Sequence, residues 1–138
     1  MSSIKYKNNS LFVENTSVKR LASKYKSPFY LYSNSNIIEN YKSFYNNFKK
    51  VTPLICFSVK ANSNVQILRI LKKMGSGADV VSGGELLKTL KSGIKPNKIV
   101  FSGVGKTEEE LRLAIKKKIL LINVESENEA VLINKISG

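Results

Sequence analysis

Leu54-Ile55-Cys56-Phe57-Ser58-Val59-Lys60-Ala61-Asn62 is a short apolar run that ends abruptly in a lysine. Pro53 precedes it, and a run of this length bounded by a breaker predicts a buried β-strand. Asn62-Ser63-Asn64 supplies helix N-cap chemistry, and Val65, Ile67, Leu68, Ile70 and Leu71 follow before Gly75 stops the helix. Lys60 therefore stands where a buried strand ends and a helix is about to begin. Parallel α/β sheets keep their chemistry at that lip. Partial desolvation there frees an amine to attack a carbonyl. The competing reading is a lysine that snorkels from a strand end into water, and position by itself favours that second reading.

The same strand–helix theme recurs three more times. Ala78–Val81 predicts a strand before a helix over Gly84–Lys91, closed by Ser92-Gly93. Lys98–Phe101 leads to a helix over Thr107–Lys117, with Thr107 and Glu110 spaced as a capping box. Ile119–Val124 leads to a helix over Ser126–Ile136, with Ser126 and Glu129 spaced likewise. Short units of this kind imply parallel strands and right-handed crossovers. Two architectures fit: an open doubly wound sheet, or part of a parallel (β/α)₈ barrel. A dinucleotide-binding sheet carries a glycine-rich turn after its first strand, whereas this one ends Ser-Val-Lys-Ala-Asn. The expectation is an α/β fold, the N-terminal half of a (β/α)₈ TIM-type barrel. A complete barrel takes roughly 250 residues, so four units read as a truncated one. Ile55, Phe57, Val59, Val100 and Leu121 are candidate interior residues, to within one register step.

Ahead of these units, Leu11–Val13 predicts a short strand and Ser17–Tyr25 a short helix, broken at Ser27-Pro28. Phe29-Tyr30-Leu31-Tyr32 has the β propensity of a strand. A helix capped by Ser33 or Ser35 runs to about Lys49, and its stripe of Ile37, Ile38, Tyr41, Phe44, Tyr45 and Phe48 reads as core packing. The expected division is a 1–32 segment and a 33–138 set of four β/α units.

The net charge of +13 comes from lysines scattered from Lys5 to Lys135, with only Arg20, Arg69 and Arg112 as arginines. Base readout and bidentate phosphate contact favour arginine, and no aromatic-interleaved basic stripe is present, so no nucleic-acid partner is expected. One cysteine, Cys56, excludes an internal disulfide and reads as a small buried hydrophobe. The absence of histidine removes histidine-based dyads and most zinc sites, and no metal is expected. No apolar span reaches membrane length and the first residues lack a signal-like core, so the expected location is the cytoplasm, without a membrane partner.

Polar residues collect at the carboxyl ends of the four strands: Lys60 and Asn62, Asp79 and Ser82, Ser102, then Asn123 and Glu125. On a shared barrel rim Asp79 is placed to approach Lys60, although all of these residue types also serve as caps and turns. Gly103-Val104-Gly105-Lys106-Thr107 resembles a phosphate-binding loop only superficially, because that motif needs a glycine where Val100 stands. Its glycines read as a tight strand-to-helix turn.

Ser58–Asn62, followed by Gly77-Ala78-Asp79-Val80-Val81-Ser82-Gly83-Gly84-Glu85-Leu86, resembles the fold-type III pyridoxal-phosphate decarboxylases. Lys98–Thr107 and Ile122–Glu127 narrow the resemblance to the diaminopimelate decarboxylases, and the match runs from about Pro28 to the end of the chain. The resemblance implies that Lys60 is catalytic and binds pyridoxal 5′-phosphate covalently, with Asp79 as the acidic residue beside it. It implies decarboxylation of meso-2,6-diaminopimelate to L-lysine in lysine biosynthesis, with an amino-acid substrate and a homodimer for the full-length family. Another member type, acting on ornithine, arginine or carboxynorspermidine, is the alternative, as is a non-catalytic truncated or split product. Ser58 departs from the alanine that the family often has. The family's ring-stacking histidine, phosphate cradle and acid at the pyridine nitrogen are expected beyond residue 138, so this chain by itself is expected to be inactive.

Overall fold

The computed structural model describes residues 3–138, and its first elements form a hairpin. Strand β1 (Ile4–Lys7) pairs antiparallel with β2 (Ser10–Val13) through Asn8 and Asn9, whose φ values are 47° and 58°. A two-residue hairpin loop whose twist matches its strands needs positive φ at both positions, and asparagine tolerates it. β3 (Thr16–Ser17) completes the meander in the order β1-β2-β3. Ser17 then caps α1 (Val18–Lys24), its hydroxyl accepting from Arg20 N at 3.5 Å. Met1 and Ser2, part of the expected 1–32 segment, lie outside the described residues.

Phe29–Tyr32 was expected as a strand, but no ladder forms there among the described residues. The backbone is nonetheless drawn out, since the rings of Tyr30 and Tyr32 stack with centroids 6.3 Å apart, as alternate residues on one side of an extended chain do. Propensity shaped this segment without giving it a partner. Ser33 starts α2 (Asn34–Phe48), accepting from Asn36 N at 3.1 Å. The apolar stripe of α2 departs from its expected role as core: Ile37, Ile38, Tyr41 and Tyr45 are half-buried, and Phe44 and Phe48 are exposed. Strands of four, four and two residues are too small a sheet to cover a 15-residue helix.

The N-terminus of α2 is instead held by Glu14, in the β2–β3 turn. Glu14 Oε1 accepts from the Ser33 hydroxyl at 2.8 Å, the Ser35 amide at 2.9 Å and the Ser35 hydroxyl at 2.7 Å. These donors, led by the Ser35 amide, hold the Glu14 carboxyl down at about 2, from an ordinary 4.5. The folded value lies below the unfolded one, so this contact stabilises fully above pH 4.5 and is lost as pH falls to about 2. All six tyrosines lie between Tyr6 and Tyr45 and the chain has no tryptophan, so tyrosine fluorescence follows the first unit of the chain alone. Thermal unfolding so monitored should weaken across that window, and Glu14→Gln should flatten the dependence; equal slopes for the two proteins would refute the anchor.

The chain divides into two compact units, Met1–Asn47 and Phe48–Gly138. The second is a parallel sheet of β4 (Cys56–Ser58), β5 (Gly77–Val80), β6 (Ile99–Phe101) and β7 (Leu121–Ile122), in that order. Helices α3 (Val65–Lys73), α4 (Gly83–Ser92), α5 (Glu108–Lys117) and α6 (Glu127–Ser137) follow the strands in turn. Each helix begins on the short polar side chain that the sequence offers: Asn64, Ser82, Thr107 and Ser126 accept from the amides of Gln66, Glu85, Glu110 and Glu129. Strand order follows chain order without a reversal. A doubly wound sheet reverses at its switch point, so the barrel reading prevails.

Register fixes which face is core. Phe57, Ala78 and Ile99 are opposite one another, as are Val80, Phe101 and Ile122. With Val59, these residues pack against Leu68, Leu86 and Ala114 of the helices. Phe57 and Val59 thus belong to the helix-facing core, and the interior expectation is corrected there by the one register step left open. Val100 and Leu121, paired with each other, alternate to the opposite face together with Ser58 and Asp79. β4 and β7 are shorter than the apolar runs predicted because each has a ladder on one side only. Among the described residues, no helix is long and apolar enough to cross a membrane.

Candidate functional site

Lys60 lies in a 3₁₀ turn, Val59–Ala61, between β4 and α3. Val59, fully buried in the helix-facing core, anchors the turn from one side. The Asn62 amide closes it on Val59 O at 3.0 Å, and Asn62 Oδ1 accepts from Asn64 N at 3.0 Å. The backbone of Lys60 is therefore held while its side chain is exposed. Among the described residues no ion pair joins Lys60 to Asp79, although their strands are neighbours and Asp79 is opposite Ser58 in register.

Asp79 is tied to β6 instead. Its Oδ1 accepts from the Ser102 hydroxyl at 2.6 Å, and Ser102 Oγ accepts from Asn123 Nδ2 at 2.9 Å. The Ser58 hydroxyl is 3.5 Å from Asp79 Oδ2, a weak contact. Three polar positions predicted from separate strand ends, Asp79, Ser102 and Asn123, thus form one line on the face away from the helices, and Ser58, which the strand-end reading did not include, extends it. Below it, Cys56 is half-buried, and burial first and the Asp79 carboxylate second push its thiol up. A raised thiol is a poor nucleophile, which fits the reading of Cys56 as a packing residue.

Ser82 is a cap, as its competing reading had it, and the N-terminus of α4 is already satisfied. Glu110 Oε1 accepts from Gly83 N at 2.6 Å, while Glu110 Oε2 accepts from Thr107 N at 3.0 Å and completes the predicted capping box. Those two backbone amides, Gly83 first, hold the Glu110 carboxyl below the usual range. A carboxylate thus fills the position at Gly83 where a helix N-terminus would otherwise take a phosphate.

Lys106 has a role that sequence reasoning missed. Gly103 and Gly105 take φ of 95° and 78°, the tight turn expected of them. That turn folds Lys106 inward, where Nζ donates to Gly103 O at 2.8 Å, Asn123 O at 2.7 Å and Glu129 Oε1 at 2.7 Å. The capping box predicted at Ser126 is consequently half-made: Ser126 accepts from Glu129 N, but the Glu129 carboxylate goes to Lys106. Nothing in the spacing of Ser126 and Glu129 separates these outcomes.

The sequence profile of the family described as "Pyridoxal-dependent decarboxylase, pyridoxal binding domain" matches residues 34–138. The chain belongs to this family. It is 44% identical over 135 residues to the diaminopimelate decarboxylase of Aquifex aeolicus, covering 98% of this chain and 32% of that one. It is 50% identical over 113 residues to the Helicobacter pylori (strain J99) diaminopimelate decarboxylase, covering 82% and 28%. Among solved structures, the diaminopimelate decarboxylase of M. jannaschii in complex with L-lysine superposes with a TM-score of 0.93 at 36% identity, covering 99% of this chain and 33% of that one. The chain spans about a third of the length of the curated relatives it matches. Its second unit is four consecutive β/α units of a partial barrel, as expected. The family's cofactor suits the residues present at one end only: an exposed amine on a fixed turn, with a carboxylate on the next strand.

Proposed function

We propose that residues 1–138 form the lysine-bearing part of a pyridoxal-phosphate-dependent decarboxylase that converts meso-2,6-diaminopimelate to L-lysine. The observation that carries the reading is Lys60 itself, an exposed amine on an anchored turn at the carboxyl end of β4, one strand from Asp79. Bound pyridoxal phosphate supplies the electron sink for loss of carbon dioxide. Lys60 would hold it through its side-chain amine. Asp79 offers a carboxylate oxygen toward β4, and Ser102 keeps its other oxygen occupied. The substrate identity rests on relatives whose names all specify diaminopimelate. Residues 33–138 are assigned to the barrel and 1–32 to the segment that accompanies the second domain of the family. A homodimer in the cytoplasm, without nucleic-acid partners, completes the proposal.

The test is a chimera in which residues 1–138 replace the matching third of the Aquifex aeolicus enzyme. It should release carbon dioxide from meso-diaminopimelate, and borohydride should fix the cofactor at Lys60 by mass mapping. Lys60→Ala should abolish both. Label and turnover that persist without Lys60 would remove the assignment.

A further inference from the structure

The decarboxylase reading uses Lys60 and Asp79 and leaves unexplained why Asp79 is bonded away from Lys60. The connection continues beyond Asp79. Ser102 donates to Asp79 Oδ1 at 2.6 Å, Asn123 Nδ2 donates to Ser102 Oγ at 2.9 Å, and Lys106 Nζ donates to the Asn123 carbonyl at 2.7 Å. Lys106 is itself fixed by Glu129, and its side chain is 1% exposed. The Gly103 amide donates to Glu125 Oε1 at 3.2 Å, a second stitch between the loops after β6 and β7. The line therefore runs from a buried ion pair to a half-exposed carboxylate across three strand ends.

We propose that Ser102, aligned by Asn123 and backed by the buried Lys106, is a positioning residue for Asp79. A hydroxyl has one proton, and Asn123 settles where it goes: by donating to Ser102 Oγ it leaves that proton for Asp79. Oδ1 is thereby fixed, and Oδ2, turned toward Ser58, is left to accept from the nitrogen that β4 delivers. Without the Ser102 hydroxyl the carboxyl group is free to rotate, and neither oxygen is reserved for Lys60. Glu129 and Lys106 act at one remove, through the Asn123 carbonyl that Lys106 holds.

This inference rests on Lys60 as the cofactor's attachment point, and the experiment separates the two. The full chain is treated with pyridoxal phosphate and borohydride, and labelling of Lys60 is compared by mass mapping with that of Lys91, a lysine at the far end of α4. Wild type should label Lys60 preferentially. Ser102→Ala, which removes one oxygen, should cut that preference about tenfold, the usual scale for a lost hydrogen bond to a charged acceptor. Asn123→Ala should follow it in part, and Ser102→Thr, which keeps the hydroxyl, should restore it. Amide exchange on β5 and β6 should be the same in all four proteins, which a merely structural role for Ser102 would not give. Preferential labelling that Ser102→Ala leaves intact overturns the positioning role alone. No preference in wild type overturns the attachment reading, and the inference with it.

Discussion

Gly77→Ala is expected to destabilise the second unit by about 1–3 kcal/mol, the range for forcing a methyl group into a packed interior. A Cβ at Gly77 would collide with the backbone carbonyl oxygen of Lys98 and lie 2.8 Å from Cys56 Sγ. The thiol can turn aside, but the carbonyl ends the Pro96–Lys98 turn and leads directly into Ile99, which is fully buried. Moving that oxygen means moving β6. Gly77 itself donates to Ile55 O at 2.9 Å and pairs with Cys56, so β5 cannot shift without loosening β4. The contrast is Gly75, whose φ of +89° is left-handed but whose Cβ would meet nothing within 4 Å. Gly75→Ala should cost about 1 kcal/mol for backbone strain alone. Amide exchange at Ala78 and Val80 during urea titration reads this unit, where tyrosine fluorescence does not. An order reversed between the two substitutions would refute the close-approach argument.

Gly77 also marks the boundary of what one-dimensional reading could reach. By sequence Gly75-Ser76-Gly77 is turn chemistry, whereas the reason Gly77 is glycine lies in a carbonyl 21 residues on. Features set by near neighbours were legible: Thr107 with Glu110 as a capping box, Gly93 as a helix stop with φ of +90°, the turn at Gly103 and Gly105. Strand existence and order were legible from the alternation of apolar runs with caps. The inward face of each strand was not, because an apolar run such as Ile55–Val59 has no period-2 contrast to show which residues are core. The candidate site divided along the same line. Asp79, Ser102 and Asn123 could be placed at strand ends, but their line depends on register across three strands. Phe29–Tyr32 failed for the complementary reason: β propensity describes a residue, and a strand requires a partner.

Lys106→Met should be the most damaging single substitution in the second unit, at about 3–5 kcal/mol, the range for removing one partner of a buried ion pair. Distance alone would not predict this. The Arg112–Glu108 pair is shorter, 2.6 Å against 2.7 Å, yet its side chains are 56% and 53% exposed, where those of Lys106 and Glu129 are 1% and 10% exposed. Water screens the first pair, so Arg112→Ala should cost about 0.5 kcal/mol or less. Loss of the Lys106 ammonium leaves the Glu129 carboxylate without its cation and the carbonyls of Gly103 and Asn123 without their donor. Adding Glu129→Gln to Lys106→Met should recover the part due to the stranded charge and no more, because the two carbonyls stay unsatisfied. Glu129→Gln by itself should be milder than Lys106→Met, since the ammonium keeps both carbonyls and gains an amide oxygen. Urea titrations read by amide exchange on β6 and β7, at low and high salt, give all four values. A Lys106→Met cost as small and as salt-sensitive as that of Arg112→Ala would show that this lysine is a surface charge and that the loops after β6 and β7 are held by something else.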